Sequence, residues 1–290
     1  MFASLNPGHV GINVNLREGL ALAERHGFGG YDAQLGQLHE EVARHGAAAV
    51  RDLFVAHGLR VGSWNLPFMP YRVTEAEWRD GLAKLPGPLA SARAVGATRC
   101  GMWILPGSDE REFDANFAHH VARFQPIARL LADHGIRLGL EFVGPETSAR
   151  RFKHPFLRSL AGVLELARAI GPNCGVLIDA WHWHCAGGTR EDLRVLTRDL
   201  LVHVHVDDAP AGVARSELID NRRKLPGTTG VIDLDGFMQA LADADYDGPV
   251  TAEPFDAEVS ALPADQSAAL TARTTRAAVA RAVRASDRGR

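Results

Sequence analysis

The chain has 290 residues, of which 46% are hydrophobic and 23% are charged, and its formal net charge is −3. This size and apolar content suffice for a large core, and three cysteines without a CxxC pair predict a reducing, cytoplasmic environment. The charge balance excludes the basic footprint of a nucleic-acid-binding protein. No apolar run is long enough to span a bilayer and no signal-peptide pattern opens the chain, so a soluble domain of enzyme size is expected.

Short apolar segments alternate with amphipathic stretches, which is typical of strand–helix units around a parallel sheet. The predicted strands lie at 9–14, 30–33, 60–64 and 98–104, in the segments ending at Glu141, Asp179 and His205, and at 249–253. The predicted helices lie at 15–26, 39–57, from 74 onward, at 109–134 and 157–170, after Thr189, and at 234–244 and 264–285. Eight such units predict the α/β class with a single (β/α)₈ TIM barrel over residues 1–290, frayed after about residue 285.

Four consecutive predicted strands, the fifth to the eighth, each carry a metal-ligand residue near the carboxyl end: Glu141, Asp179, His205 and Glu253. In a parallel barrel all these ends open onto one face, so the four side chains should converge. Three carboxylates and one imidazole suit Mn²⁺ first, with Mg²⁺, Co²⁺ or Zn²⁺ as alternatives. One such residue could be a salt-bridged core group. Four in succession favour a metal site, because a bound cation offsets the cost of desolvating carboxylates.

Other polar residues lie close to the tetrad in the sequence. His182 follows Asp179 by three residues, so a turn at the strand end can bring it over the same mouth as a substrate ligand. Glu146 lies just beyond Glu141 and could form hydrogen bonds to substrate. For His184 and His203 the structural interpretation is preferred, with His203 lining the barrel or orienting a ligand.

The loop after the seventh predicted strand carries a basic cluster at 220–227. Arg222 or Arg223 could hold a substrate hydroxyl, carboxylate or phosphate with its planar donor fork, and a solvated loop is the alternative. Trp64 and Trp103 lie near strand ends, where they could form an aromatic wall of the pocket or simply pack in the core or at a subunit contact. The sequence shows no GxGxxG after the first strand, no GxxxxGK[ST] and no GxSxG, which leaves nicotinamide, nucleotide and acyl-serine chemistry without support.

Over nearly its whole length the chain resembles the xylose isomerase-like (β/α)₈ superfamily, the sugar phosphate isomerase/epimerase family, which includes ketose 3-epimerases and inosose dehydratases. The most specific matching segments are Leu140-Glu141-Phe142, Asp179-Ala180-Trp181-His182, His203-Val204-His205-Val206-Asp207-Asp208, Arg223-Lys224-Leu225-Pro226-Gly227 and Glu253-Pro254-Phe255. Two positions depart from the family pattern. Asp32 stands where the second strand often ends in Glu, and Gly227 is followed by Thr-Thr-Gly in place of Glu-Gly.

The resemblance implies one divalent metal ion bound by Glu141, Asp179, His205 and Glu253, with the two glutamates as the proton-transfer pair. It also implies that His182 and one of the two arginines bind oxygens of a small carbohydrate or keto-polyol. The expected activity is isomerisation or epimerisation by proton transfer next to a carbonyl through a metal-stabilised enediolate. Alternatives are a dehydratase of a keto-polyol on the same site, a phosphodiesterase like the apurinic-site endonucleases, and a non-catalytic barrel subunit. A homo-oligomer is a further expectation.

Overall fold

The computed structural model describes residues 1–286, which are built around one all-parallel sheet. The strands are, in chain order, β1 (Phe2–Leu5), β2 (Gly30–Tyr31), β3 in two pieces (Arg60–Val61 and Trp64–Asn65), β4 (Arg99–Ile104), β5 (Arg137–Phe142), β6 (Cys174–Asp179), β7 (Leu201–Val206) and β8 (Pro249–Ala252). The predicted tail beyond about residue 285 extends into 287–290, which lie outside the described residues.

The sheet closes into a barrel through β3. Arg60–Val61 pairs with β2, Trp64–Asn65 pairs with β4, and only two residues separate the pieces. At the opposite side β1 pairs with both β2 and β8. One extended segment therefore joins the two edges of the sheet, and the predicted eight-stranded (β/α)₈ TIM barrel is confirmed.

The helices are α1 (Leu16–Arg25), α2 (Leu35–His45), α3 (Ala47–Ala56), α4 (Glu75–Lys84), α5 (Pro86–Val95), α6 (Phe113–Asp133), α7 (Glu146–Ala149), α8 (Leu160–Ile170), α9 (Ala180–Cys185), α10 (Leu234–Asp243), α11 (Ala257–Ser260) and α12 (Ala264–Ser286). Asn15 and Thr74 cap α1 and α4 with complete capping boxes, as the predicted helix starts require. Phe124, Leu166 and Phe237 illustrate the buried apolar faces that pack these helices on the barrel. Within the described residues, no helix is both long and apolar enough to cross a bilayer.

The first strand was predicted in the wrong place. It is Phe2–Leu5, and the segment predicted as a strand begins inside a 3₁₀ turn, Pro7–Val10. Pro7 has no N–H for a ladder, and Gly11 ends the turn with φ +74°, so the apolar run at 9–14 cannot extend as a strand. His9 consequently lies just beyond the carboxyl end of β1.

Two predicted helices are each divided into two. The predicted 39–57 helix consists of α2 and α3, which separate at Gly46, where φ is +82°. The segment after residue 74 contains α4 and α5, the second of which begins at Pro86, a residue suited to a first helical position. After Thr189 the chain forms a 3₁₀ turn, Asp192–Val195, rather than an α-helix. These differences lie in the outer layer and leave the barrel unchanged.

Candidate metal centre

The four predicted ligands converge at the carboxyl ends of neighbouring strands. His205 is the register partner of Asp179 between β7 and β6, and Glu253 directly follows β8. Each residue of the tetrad offers a ligand atom within 4.8 Å of the others, and all four are buried. His205 Nδ1 lies 3.1 Å from Glu141 Oε1 and 3.5 Å from Glu253 Oε2. The parallel strands thus bring together residues that are far apart in sequence.

The site holds more negative than positive groups, and this shifts the pKa values of its members. Burial raises the pKa of Glu141. Burial would also raise the pKa of Glu253, but His205, His9 and Arg223 outweigh it and hold that pKa well below its usual range. Burial would lower the pKa of His205, but Glu253 and Glu141 raise it well above normal. A divalent cation matches a buried, oxygen-rich set of this charge, so the residues present fit a metal ion.

Arg223 completes the site from the loop after β7. Its Nη1 lies 2.8 Å from both Asp179 Oδ2 and Glu253 Oε2, and 3.2 Å from Asp207 Oδ2. Its Nη2 donates to Asp220 Oδ1 at 2.9 Å. The guanidinium is buried, and the carboxylates that surround it offset the cost of removing its charge from water.

Asp208 folds the long loop so that Arg223 turns inward. Lys224 and Asp208 exchange two backbone hydrogen bonds of 2.8 Å, which fixes the chain beside the barrel mouth. The Asp208 carboxylate accepts backbone N–H groups from Ala209, Thr229, Gly230, Val231 and Ile232. The segment Thr228-Thr229-Gly230, which departs from the family pattern, therefore belongs to an ordered turn around the Asp208 carboxylate.

His182 lies beside this arginine on α9, the helix that Asp179 caps through the Trp181 N–H. The Gly144 N–H donates to His182 Nδ1 at 3.2 Å. A neutral ring then carries its hydrogen on Nε2, which lies 3.8 Å from the nearer carboxylate oxygen of Asp179, Oδ2. His182 thus presents an N–H donor beside the tetrad, where a substrate-binding group was predicted.

Trp103 is the register partner of Glu141 in the neighbouring strand, so both side chains lie on the same face of the sheet. Trp103 as a whole residue is 36% exposed. That position is suited to a wall of the pocket.

Three predicted substrate ligands are placed elsewhere. Glu146 begins α7 with a side chain 43% exposed and paired with Arg150. Trp64 is buried in the core, with its Nε1–H donated to the Ala97 carbonyl, which agrees with the alternative interpretation of a core residue. Arg222 is exposed, whereas Arg223 reaches the tetrad. The proposed site therefore does not include these three residues.

The Asp32 carboxylate is occupied by hydrogen bonds within the barrel and is not available to a substrate. Its carboxylate accepts from Ser4 Oγ at 2.6 Å, from the Ser63 N–H at 2.9 Å and from Thr251 Oγ1 at 2.7 Å. His203 Nε2 lies 3.5 Å from the same carboxylate. The carboxylate joins β1, β3 and β8 inside the barrel.

Two buried residues at the site received no role from the sequence. Asp207 follows β7, contacts Arg223 and accepts the Glu253 N–H at 2.9 Å. The second is His9, whose Nε2 lies 3.2 Å from Glu253 Oε1. The sequence could have indicated a role for Asp207, because it lies two residues after the predicted end of the seventh strand at His205. Nothing in the sequence indicated a role for His9, since it was predicted to lie in a strand.

Two curated relatives are similar to the chain. The inosose isomerase of Bacillus velezensis is 25% identical over 280 residues, which cover 93% of this chain and 94% of the relative. The L-ribulose 3-epimerase of a Methylomonas species is 27% identical over 172 residues, covering 59% of this chain and 52% of that protein.

Two solved structures share the fold over almost the whole chain. A xylose isomerase domain protein from Alicyclobacillus acidocaldarius has a TM-score of 0.84 and 31% identity, covering 97% of this chain and 98% of that one. The IolI protein with a bound zinc atom has a TM-score of 0.80 and 21% identity, again covering 97% and 98%. The model of one protein family, described as a xylose isomerase-like TIM barrel, matches residues 20–278. The chain belongs to the xylose isomerase-like TIM barrel family.

Proposed function

We propose that this chain is a divalent-metal-dependent isomerase or epimerase of a keto sugar or keto-polyol. The observation that carries the proposal is the placement of two glutamates, Glu141 and Glu253, within 3.1 and 3.5 Å of the same atom, His205 Nδ1, in one buried cluster. The names of the relatives agree with the reaction class predicted from the sequence, an enzyme of the isomerase and epimerase type. The Bacillus velezensis relative, 94% of which is covered, is named for an inosose, so inososes are the first substrates to test.

The tetrad of Glu141, Asp179, His205 and Glu253 would hold the metal ion, with Mn²⁺ as the proposed ion. When bound, such an ion supplies Lewis-acid polarisation of the substrate carbonyl. The protein's own contribution is to bury the four ligands and to exclude water from the reacting carbon.

The two glutamates differ in proton affinity, as a base and an acid in one site should. The pKa of Glu253 is held well below its usual range although burial opposes this, and burial raises the pKa of Glu141. Glu253 is therefore suited to remove a proton from the carbon next to the carbonyl, and Glu141 to return one.

Arg223 and His182 are the proposed substrate ligands. Among the described residues the Nε–H of Arg223 is buried without a hydrogen-bond partner, and a substrate oxygen would satisfy it. His182 presents its Nε2–H beside the same guanidinium. Trp103 would form an apolar wall, which completes a pocket suited to a polyhydroxylated substrate.

The proposal is tested by exchange of substrate hydrogen with solvent. The Mn²⁺-loaded protein is incubated in D₂O with inososes and ketoses, and deuterium next to the carbonyl is followed by NMR. We expect Glu253→Gln and Glu141→Gln each to lower the exchange rate by about 10²–10⁴-fold, because the amide cannot take or give the proton. Glu165→Gln is the control, since Glu165 is exposed on α8.

Exchange at the wild-type rate in Glu253→Gln would refute the glutamate pair. Mass spectrometry of the same reactions identifies the reaction type, because an isomer keeps the substrate's mass. A product lighter by one water would instead establish a dehydratase.

A further inference from the structure

A second cavity lies on the same side of the barrel as the metal centre, between the loop after β3, the loop after β4 and the first half of α6. Its volume is about 470 Å³, which is enough for a small ligand. Neither the tetrad nor His182 or Arg223 lines it. We call it the outer cavity, and its polar lining includes Tyr71, Arg72, Ser108, Asn116, His120 and Arg123.

His120 contributes a buried hydrogen-bond acceptor to the outer cavity. The residue is 2% exposed, and its ring packs against the rings of Tyr71 and Phe156 with centroids 4.5 and 4.8 Å away. Its Nδ1 lies 2.7 Å from the Asn116 carbonyl oxygen, which can only accept, so Nδ1 carries the hydrogen of a neutral ring. Burial lowers the pKa of His120 to about 4, which keeps the ring neutral at physiological pH. Nε2 is then an acceptor, and among the described residues it has no hydrogen-bond partner.

Arg123 adds a donor on the same side of α6. It follows His120 by three residues, so the two side chains project from one face of the helix. Its Nη1 is buried and lies 3.2 Å from Glu75 Oε2, yet it forms no hydrogen bond within the part of the chain that the structure describes. A buried donor and a buried acceptor without partners both cost free energy, which a bound ligand would recover.

The charges around the outer cavity balance. Glu110 lies 3.0 Å from Arg111, and Glu75 pairs with Arg123. The lining therefore has no surplus charge that would select an anion or a cation, and a neutral ligand is favoured. Three arginines and three acidic residues line the cavity: Arg72, Arg111, Arg123, Glu75, Asp109 and Glu110.

Tyr71 joins the outer cavity to the proposed wall of the metal-site pocket. Its Oη donates to the Trp103 carbonyl at 3.0 Å, and His119 Nε2 donates to the Tyr71 carbonyl at 3.1 Å. These two bonds hold Tyr71 between β4 and α6. The outer cavity is therefore formed before any ligand enters, as most small-molecule sites are.

We infer that the outer cavity is a second binding site, which takes a neutral polyol through His120 and Arg123. A hydroxyl group can donate to Nε2 and accept from Nη1 through one oxygen, and a polyol carries several such groups on adjacent carbons. The polyol donates a hydroxyl hydrogen to His120 Nε2, and the same or the next oxygen accepts from Arg123 Nη1. No residue of the metal centre takes part, so the inference is independent of the proposed function.

The test titrates the protein in EDTA with myo-inositol, a neutral polyol without a carbonyl. The ring signals of Tyr71, one of three tyrosines, report occupancy by NMR in every variant. We expect saturable binding with a Kd of about 1–10 mM, and an upfield movement of the His120 Nε2 signal as this atom accepts a hydrogen bond.

Two variants remove the two groups separately. His120→Phe keeps an aromatic ring against Tyr71 but removes the acceptor, and Arg123→Met removes the donor. Each should raise the Kd roughly tenfold, which is the contribution of about one hydrogen bond. His134→Gln is the matched control and should keep the wild-type Kd, because His134 makes the same Nδ1 bond on α6, to the Leu130 carbonyl at 2.8 Å, and does not line the cavity.

Tyr71 and His120 signals that stay fixed up to saturating myo-inositol would overturn the inference and leave the cavity to water. A wild-type Kd in both His120→Phe and Arg123→Met would overturn it as well. So would tighter binding of inorganic phosphate than of myo-inositol, which would make the cavity an anion site. If His120→Phe does not fold, Arg123→Met carries the same expectation. Because the titration needs neither metal nor turnover, its failure leaves the proposed function standing, and the reverse also holds.

Discussion

Arg223 shows how one residue sets the charge balance of the site. Its guanidinium is buried and is the main cation facing Asp179, Asp207 and Glu253. Burial and Asp179 raise the pKa of Asp207 well above its usual range in spite of Arg223. Burial would raise the pKa of Asp179 too, but Arg223 and His182 hold it below normal. Removing Arg223 would leave these buried carboxylates without their shared partner, which is far more costly than losing a surface ion pair.

Asp32 gives a prediction about acid stability. Burial would raise its pKa, but the nearby His203 and the hydrogen bonds from Ser4 and Thr251 outweigh burial and lower the pKa to about 2. A depressed pKa stabilises the fold at every pH above the unfolded value near 4, and this contribution is lost as pH falls through about 2. We expect Asp32→Asn to be about 2.5 kcal/mol less stable than wild type at neutral pH, with the difference shrinking below pH 4.

The measurement is the free energy of urea unfolding of both proteins in EDTA at pH 7, 5, 3 and 2. EDTA keeps metal binding out of the comparison. A difference that stays constant from pH 7 down to pH 2 would contradict the depressed pKa.

At the scale of single residues, the sequence predicted those whose position depends on strand ends. Glu141, Asp179, His205 and Glu253 each follow an apolar run, and parallel strands open onto one face. The sequence did not distinguish Arg222 from Arg223, because the loop has no regular period and contacts with Asp208 decide which one turns inward.

At the scale of elements, the strand–helix alternation predicted the barrel, and the errors lie where a single backbone position overrides an apolar pattern. The run at 9–14 resembles a strand, yet Pro7 and Gly11 form a turn there. Helices α2 and α3 share one amphipathic stretch that Gly46 divides. Hydrophobic periodicity indicates which residues are buried. It does not indicate where a glycine with positive φ ends or divides an element.

The gap between the two pieces of β3 contains a glycine, Gly62, whose requirement is steric and can be tested. A Cβ on Gly62 would lie 1.9 Å from Asp32 Oδ1 and 2.9 Å from the Tyr31 carbonyl oxygen. We expect Gly62→Ala to destabilise the protein by about 1–3 kcal/mol, because the added methyl group must displace this carboxylate or the backbone of β2. Urea unfolding at neutral pH measures the change.

The matched control is Gly36→Ala in α2, where a Cβ would have open space. Alanine there should stabilise the helix by up to about 1 kcal/mol. Equal effects of the two substitutions would show that the contact with Asp32 does not decide the need for glycine at position 62.

At the scale of the whole molecule, closure of the barrel and assembly of the site are the same event. β5 to β8 carry or directly precede the tetrad. β1 adds His9 because β1 pairs with β8, and this pairing of the first and last strands is called the seam here. Asp32 joins β1, β3 and β8 at that seam through Ser4, Ser63 and Thr251. Changes that loosen the seam should therefore disturb Glu253 before the other ligands.

The same coupling predicts that metal binding stabilises the entire fold. Asp179, Asp207 and Glu253 place three buried carboxyl groups around one guanidinium, and a fourth, Glu141, lies beside His205. An added divalent cation relieves the repulsion among these carboxylates only in the folded chain. At free Mn²⁺ about 100 times its Kd, the stabilisation should be about 2.7 kcal/mol. For a chain of 290 residues this corresponds to a rise in Tm of roughly 4–5 °C over the protein in EDTA.

Differential scanning calorimetry with EDTA and with stepwise Mn²⁺ tests this expectation. Asp179→Asn serves as the matched variant, because an amide oxygen can still accept the Trp181 N–H while the charged ligand is lost. Its Tm should rise much less with Mn²⁺, since the ion loses one of the four groups that hold it. A wild-type Tm that does not move at millimolar Mn²⁺ would mean that the buried carboxylates are balanced by the protein alone, with Arg223 and His205 as the sufficient cations.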